Sequence, residues 1–370
     1  MTIGIDISQI VYTGTGVARF TDGLVREILR DGRGHHWHFV YYAFRRQPDP
    51  ALIGAIRSAG YGVTAIPLPP TIMEIAWNRL RIPAVTALVP GLDWFLTSDW
   101  TEPPAACRKA TIVHDLVFKR YPETVNTKIR AVMKRRLALV AHESDIIFCD
   151  SETTRTDLHK HYTITPEKTI VNFPGLTPLP EPKQSLEAVL KAYNLTPPYY
   201  LAVGKREPRK NLERLVAAYE KLDPVNGPPG SRSTQLVIAG DNGWGKEQVN
   251  LPPDIHFLGF VPDEDLTALY RGSLGLVFPS LYEGFGYPAV EAMSLGVPVA
   301  LSDTSSLAEI GANIALKFDP YSVDAIADAL RQLQDPIIRK RLATAGPKRA
   351  AEFSWQRYAN TLVSTLQAAA

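Results

Sequence analysis

The sequence predicts an α/β protein of two domains, each built on a parallel sheet. Three observations carry that expectation. Short β-branched and aromatic runs alternate with amphipathic helical runs along most of the chain, which is the rhythm of repeated βα units. The chain has 370 residues, beyond the roughly 250–300 at which a single hydrophobic core stops growing. Asn172–Lys183, NFPGLTPLPEPK, crowds proline and glycine together without periodicity, as linkers between domains do. Domains are therefore expected at 1–175 and 176–355, followed by a closing helix within 356–370.

Composition narrows the class. The 45% apolar and 21% charged fractions are those of an ordinary soluble domain. A net charge of +2 is too small to argue for nucleic acid. Cys107 and Cys149 have no ligand spacing around them, so neither a disulfide framework nor a zinc site is expected. The opening MTIGIDIS reads as a strand rather than a signal peptide, and no apolar run nears the roughly 20 residues that span a bilayer. A cytoplasmic protein is expected.

Thr2–Ile7 is β-branched and alternating, a first strand. It runs into Tyr12-Thr13-Gly14-Thr15-Gly16-Val17-Ala18-Arg19 and then a helical pattern through Phe20, Leu24 and Ile28. Strand, glycine turn, helix is the opening of a Rossmann-like unit. Arg19 stands where the dinucleotide fingerprint has its third glycine, so a nicotinamide oxidoreductase is a poor reading; Gly16 still permits close approach of a ligand. Further strands are expected at His38–Phe44, Gly62–Ile66, Asp93–Leu96, Lys109–Val113 and Asp145–Cys149. His114-Asp115 follows one of these strands, where ligands bind in parallel sheets, and Asp115 is placed to orient the imidazole. Lys128–Leu139, KIRAVMKRRLAL, is a cationic helix, either a solvated face or a surface for anionic lipid.

In the second half, strands are expected at Tyr200–Gly204, Gln235–Gly240, Ile255–Leu258, Gly275–Phe278, Pro298–Leu301 and Ala315–Phe318, with a loop at Pro224–Gly230 and a helix at Arg357–Leu366. After Gly204 come Lys205, Arg206, Pro208, Arg209 and Lys210 before a helix that starts around Asn211. Cations fixed between a strand end and a helix start suit a diphosphate. Phe278–Pro298, FPSLYEGFGYPAVEAMSLGVP, carries Glu283 and Glu291 around Gly284-Phe285-Gly286, with Pro288 at a helix start. On one straight helix these acids would stand about 12 Å apart; a turn followed by a helix lets them converge on one ligand.

Together these stretches resemble the retaining glycosyltransferases of family 4. The resemblance rests on Glu283–Glu291 as an E-x7-E motif, Val203–Leu212 as a VG…PRKNL stretch, and His114-Asp115-Leu116. Ser305–Glu309 matches an SSLPE segment with alanine in place of proline, and Phe353-Ser354-Trp355 a closing FSW. The resemblance implies a GT-B fold, two facing Rossmann-like domains with a cleft between them, the first reading the acceptor and the second the nucleotide sugar. It also implies that the 356–370 helix packs back on the first domain. It assigns catalytic roles to His114, Lys210 and Glu283. Lys210 would hold the departing diphosphate and Glu283 the hydroxyls of the transferred sugar. His114 would contact that sugar from the other domain. Donor contacts would come from Gly16, Lys205, Arg206, Val261 (at the nucleobase), the backbone of Gly284, Phe285 and Gly286, and Glu291 at the ribose.

The sequence offers no convincing carboxylate metal site, so neither metal nor cofactor is expected beyond the nucleotide sugar. The YEGFGYP wording resembles bacterial mannosyltransferases of polysaccharide and O-antigen assembly, which favours GDP-mannose as donor and a glycan or lipid-linked glycan as acceptor. Peripheral contact with the inner face of the membrane would suit the cationic helix. The alternatives are a GT-B epimerase or hydrolase acting on the donor alone, and a non-catalytic nucleotide-sugar-binding protein.

Overall fold

The computed structural model describes residues 1–222, 234–241 and 252–370; the loop expected at Pro224–Gly230 lies outside them. The first sheet is formed by β1 (Thr2–Asp6), β2 (His36–Tyr42), β3 (Gly62–Ile66), β4 (Trp94–Thr97), β5 (Arg108–Val113), β6 (Ile146–Cys149) and β7 (Thr169–Val171), in the order β3-β2-β1-β4-β5-β6-β7. The second is formed by β8 (Tyr199–Val203), β9 (Gln235–Ala239), β10 (Ile255–Gly259), β11 (Gly275–Phe278), β12 (Val299–Ser302) and β13 (Leu316–Phe318), in the order β10-β9-β8-β11-β12-β13. Every recorded pair is parallel. In each sheet the order reverses beside its first strand, between β1 and β4 and between β8 and β11. That reversal opens a crevice beyond the carboxyl ends, where α/β sheets bind ligands.

The chain divides into two units, Met1–Thr177 with Ser354–Ala370, and Pro178–Phe353. The expected boundaries at 175/176 and 355/356 lie two residues from these. Two features were not anticipated. β7 is a three-residue edge strand. Between β3 and β4 the chain forms Pro70–Met73, a π-helical stretch Glu74–Leu80 and Val85–Leu88.

Within the first unit, Thr15 caps the helix Gly16–Arg30 by accepting from the Ala18 N–H at 3.2 Å. Phe20, Leu24 and Ile28, each four residues from the next, line its buried face. The helix Trp355–Ala368 lays Tyr358, Leu362 and Leu366 into the same core. Trp355 occupies a slot that only glycine walls permit. A Cβ on Gly23 would fall 2.1 Å from its Cε2, and one on Gly175 2.3 Å from its backbone nitrogen. Its Nε1 donates to Thr177 Oγ1 at 2.9 Å, and its ring meets Phe20 and Tyr358 edge-on at centroid distances of 5.3 and 5.7 Å. Truncating it to alanine leaves an indole-sized void, with an expected cost of about 3–5 kcal/mol. Urea unfolding followed by far-UV CD should show that loss for Trp355→Ala; an unchanged midpoint would remove the slot as a stabilising feature.

Candidate active site

The second unit's crevice is shaped first by backbone. Gly204, just past β8, has φ +148°, and a Cβ there would press on Lys210 Cε at 3.1 Å. A Cβ on Gly240, just past β9, would sit 2.1 Å from the Gly204 carbonyl oxygen. The turn Pro208–Lys210 then ends at Asn211, which is buried and left-handed at φ 58°. Its Nδ2 donates to the carbonyls of Pro279 at 3.0 Å and Pro320 at 2.8 Å, while its Oδ1 accepts from Arg214 Nη1 at 2.8 Å. Asn211 thereby fastens the basic turn to the segment that follows β11.

That fastening brings Glu283 between two cations. Its Oε1 lies 2.7 Å from Lys210 Nζ and its Oε2 2.8 Å from Arg209 Nη1. Arg209 Nη1 also donates to the Tyr282 carbonyl at 2.6 Å. Burial by itself would raise the Glu283 carboxyl, but Arg209 and Lys210 outweigh it and hold the group at about 2. Burial moves the Lys210 ammonium below its ordinary value, against the pull of Glu283. Nζ also sits 4.8 Å from the centre of the Phe278 ring. Glu283 is an anion at neutral pH, which removes it as a proton donor.

The glycine turn is held from behind by Ser305 and Ser306. The Glu283 N–H donates to Ser305 Oγ at 3.1 Å, and Ser306 Oγ donates to the carbonyls of Glu283 at 3.0 Å and Phe285 at 2.5 Å. Gly286 takes φ +114°, and a Cβ there would strike Leu307 at 2.7 Å. The Phe285 ring is buried against Tyr287 and Phe353, so only its backbone is available to a ligand. Glu291 lies in the helix Tyr287–Ser294, buried, accepting from Tyr270 Oη at 3.1 Å. Lys205 is exposed, whereas Arg206 lies over the Phe257 ring at 4.0 Å. The Val261 side chain is buried beside the exposed Phe260.

In the first unit Gly16 is the exposed first residue of its helix. His114 follows β5, and its ring is held at both nitrogens: Nδ1 by Asp150 Oδ2 at 2.7 Å and Nε2 by Ser98 Oγ at 2.9 Å. Asp150, rather than the adjacent Asp115, therefore orients the imidazole; Asp115 Oδ1 accepts instead from the Val117 N–H at 2.9 Å. Burial disfavours the charged imidazole, yet Asp150, with help from Asp99, raises it above its ordinary value. Ser98, Asp99, His114 and Asp115 line a cavity of about 910 Å³.

The structure thus joins Lys210 directly to Glu283 and adds Arg209, which the sequence places only in a basic run. Ser98 and Asp150 were missed, while Asn211 and the Ser305-Ser306 pair stood inside the PRKNL and SSLPE stretches without an assigned role. Asp150 had a readable signal, since it directly follows the strand expected at Asp145–Cys149 as His114 follows its own; the pairing of Val113 with Cys149 sets the two side by side. No group of three or more His, Cys, Asp or Glu suited to a metal ion occurs among the described residues.

Two titrations follow. The folded Glu283 sits near 2, below its ordinary 4.5, so its pairing stabilises the fold above pH 4.5 and is lost as pH falls toward 2. The gap in urea midpoint between wild type and Glu283→Gln should therefore close over that interval; a gap independent of pH overturns the pairing. His114 is raised, so its ion pair stabilises below pH 6.5 and is lost as pH rises through the folded value. Imidazole NMR should place its midpoint above 6.5, and Asp150→Asn should lower it; no movement would deny Asp150 this role.

Comparison with known proteins gives a consistent picture. A family model described as "Glycosyl transferases group 1" matches residues 189–349. O-antigen chain mannosyltransferase B of Escherichia coli is 33% identical over 261 residues, covering 67% of this chain and 67% of that protein. Among solved structures, sucrose-phosphate synthase from Thermosynechococcus elongatus superposes with a TM-score of 0.73 at 20% identity over 100% of both chains. HepE of Anabaena, solved with UDP and glucose, superposes with a TM-score of 0.72 at 16% identity, again over 100% of both chains. The fold shared with these structures is GT-B.

Proposed function

The chain belongs to the group 1 glycosyltransferases, and we propose that it transfers mannose from GDP-mannose to a glycan or lipid-linked glycan, retaining the anomeric configuration and using no metal ion. The donor sugar follows from likeness to an O-antigen mannosyltransferase. Membership of a transferase family also favours transfer over the epimerase and binding-protein alternatives.

One observation carries the mechanism: the Arg209–Glu283–Lys210 cluster at the β8/β11 reversal. As the C1–O bond to the diphosphate breaks, its electron pair leaves with the phosphate. Preorganised cations stabilise that growing charge. Lys210 spends one N–H on Glu283 and keeps two for phosphate oxygens. Arg209 adds a second fixed cation, with Lys205 or Arg206 as further diphosphate contacts.

Glu283, ionised, has lone pairs left for the hydroxyls of the sugar, assisted by backbone N–H groups of Gly284, Phe285 and Gly286. Glu291 takes the ribose, Val261 borders the nucleobase, and Gly16 admits backbone to the phosphates. His114 contacts the sugar. No side chain is assigned as nucleophile: the acceptor oxygen bonds C1 on the face the phosphate leaves, and its proton passes to that phosphate. The acceptor is assigned to the first unit, whose cavity of about 910 Å³ is lined by His114.

Incubation with a panel of nucleotide sugars should show turnover with GDP-mannose, undiminished by EDTA; preference for UDP-glucose, UDP-galactose or UDP-N-acetylglucosamine overturns the donor, and loss in EDTA the metal independence. Lys210→Ala should lower kcat by at least about 100-fold in a folded protein, the order expected when a charge-stabilising donor is lost. Near-normal turnover would exclude Lys210 from the site. An inverted product linkage by NMR would overturn retention.

A further inference from the structure

Seven of the twelve large hydrophobic residues exposed among the described residues fall between Phe44 and Leu88. Scattered exposed apolar residues are ordinary, but a concentration on one stretch marks an interaction site. The β2/β3 register pairs Tyr42 with Ile66, so Phe44 and Leu68 leave neighbouring strands side by side, 60% and 40% exposed. The chain then enters the helical run from Pro70 to Leu80, whose inner side buries Met73 and Trp77. Its outer side carries Ile72 and Ile75, three residues apart and hence on one face, 45% and 41% exposed. Leu80 and Ile82 continue beyond it at 62% and 61%.

The charge at these tips is mainly basic, with Asp49 the exposed acid nearest to Arg46 in the chain. Arg45 and Arg46 are exposed and make no ion pair among the described residues. The only acid from 67 to 84 is Glu74, which is buried and paired with Arg79 and Arg135. Projecting aliphatic side chains flanked by unneutralised arginines match a segment lying in the headgroup layer of an anionic bilayer. Eleven helical residues span about 16 Å, long enough for shallow in-plane seating. Phe44, Arg45, Arg46, Pro69 and Pro70 also line the 910 Å³ cavity, whose other wall includes Val117, Phe118, Ile129, Met133 and Leu137.

We propose that the rim formed by Phe44–Arg46 and the 68–82 segment docks the first unit on an anionic membrane surface, and that the cavity opens at that surface. The cationic helix Thr127–Glu143 is not the docking face. It turns Ile129, Met133 and Leu137 into the cavity, buries Arg136, and pairs Arg135 with Glu74.

The test is co-sedimentation of the full chain with phosphatidylcholine vesicles, with and without phosphatidylglycerol. It reads no transfer, so its outcome is independent of the donor reading. Wild type should pellet with the anionic vesicles and far less with neutral ones. The double change Ile72→Ser and Ile75→Ser should weaken binding by at least about tenfold through lost apolar insertion. Arg45→Ser with Arg46→Ser should erase the preference for anionic lipid, while Lys128→Ser with Lys134→Ser should bind as wild type. The proposal is overturned if wild type stays in the supernatant, if the isoleucine pair is without effect, or if the Lys128/Lys134 pair abolishes binding. It is likewise overturned if sedimentation velocity shows a dimer that the isoleucine changes dissolve, which would make the face a contact between copies.

Discussion

An anion held between two cations at the carboxyl ends of adjacent strands is the constraint on which the rest of the second unit depends. Glu283 is reached through a glycine turn after β11, Arg209 and Lys210 through a turn after β8, and β8 and β11 are neighbours in the sheet. Charges this far from water persist only when each is matched, and removing one partner strands the others. The surrounding geometry exists to keep the match. Gly204 and Gly240 let backbones approach, Asn211 fastens one turn to the other, and Ser305 and Ser306 grip the glycine turn from the far side. The cost of assembling three partly buried charges is offset by their mutual pairing, which leaves them arranged before any ligand arrives.

Much of the fold was legible because buried parallel strands read as continuous apolar runs, and these runs fix element type well. β3 and β11 fell at the expected residues, and the others within two. β7 was not legible because three residues are too few to carry a pattern. The 70–88 stretch was not, because prolines interrupt it and its π-helical turn departs from the 3.6-residue period. The motifs singled out Glu283 and Lys210 separately, but sequence spacing is silent on a contact between residues 73 positions apart. A left-handed asparagine such as Asn211 has no signature distinguishing it from a helix cap. The Thr127–Glu143 helix was only partly legible for a related reason: its cations are spread around the axis, so composition did not reveal which side faces a cavity.

The two sheets share the same reversal of strand order and dress it differently. One crevice holds an ionic cluster of Arg209, Lys210 and Glu283. The other is a broad, mainly apolar cavity in which a single imidazole is pinned between a hydroxyl and a carboxylate. A shared reversal of strand order here hosts two chemistries, set by the loops and helices beyond the strands.

The slot filled by Trp355 bears on how the polypeptide is made. Residues 354–370 belong to the first unit but follow the whole of the second in the chain. During synthesis the ribosome completes 178–353 before the indole that closes the gap between Gly23 and Gly175 has been polymerised. The earlier unit must wait, its core open, while the later one is delivered and free to fold. Translation order and order of completion are thereby inverted.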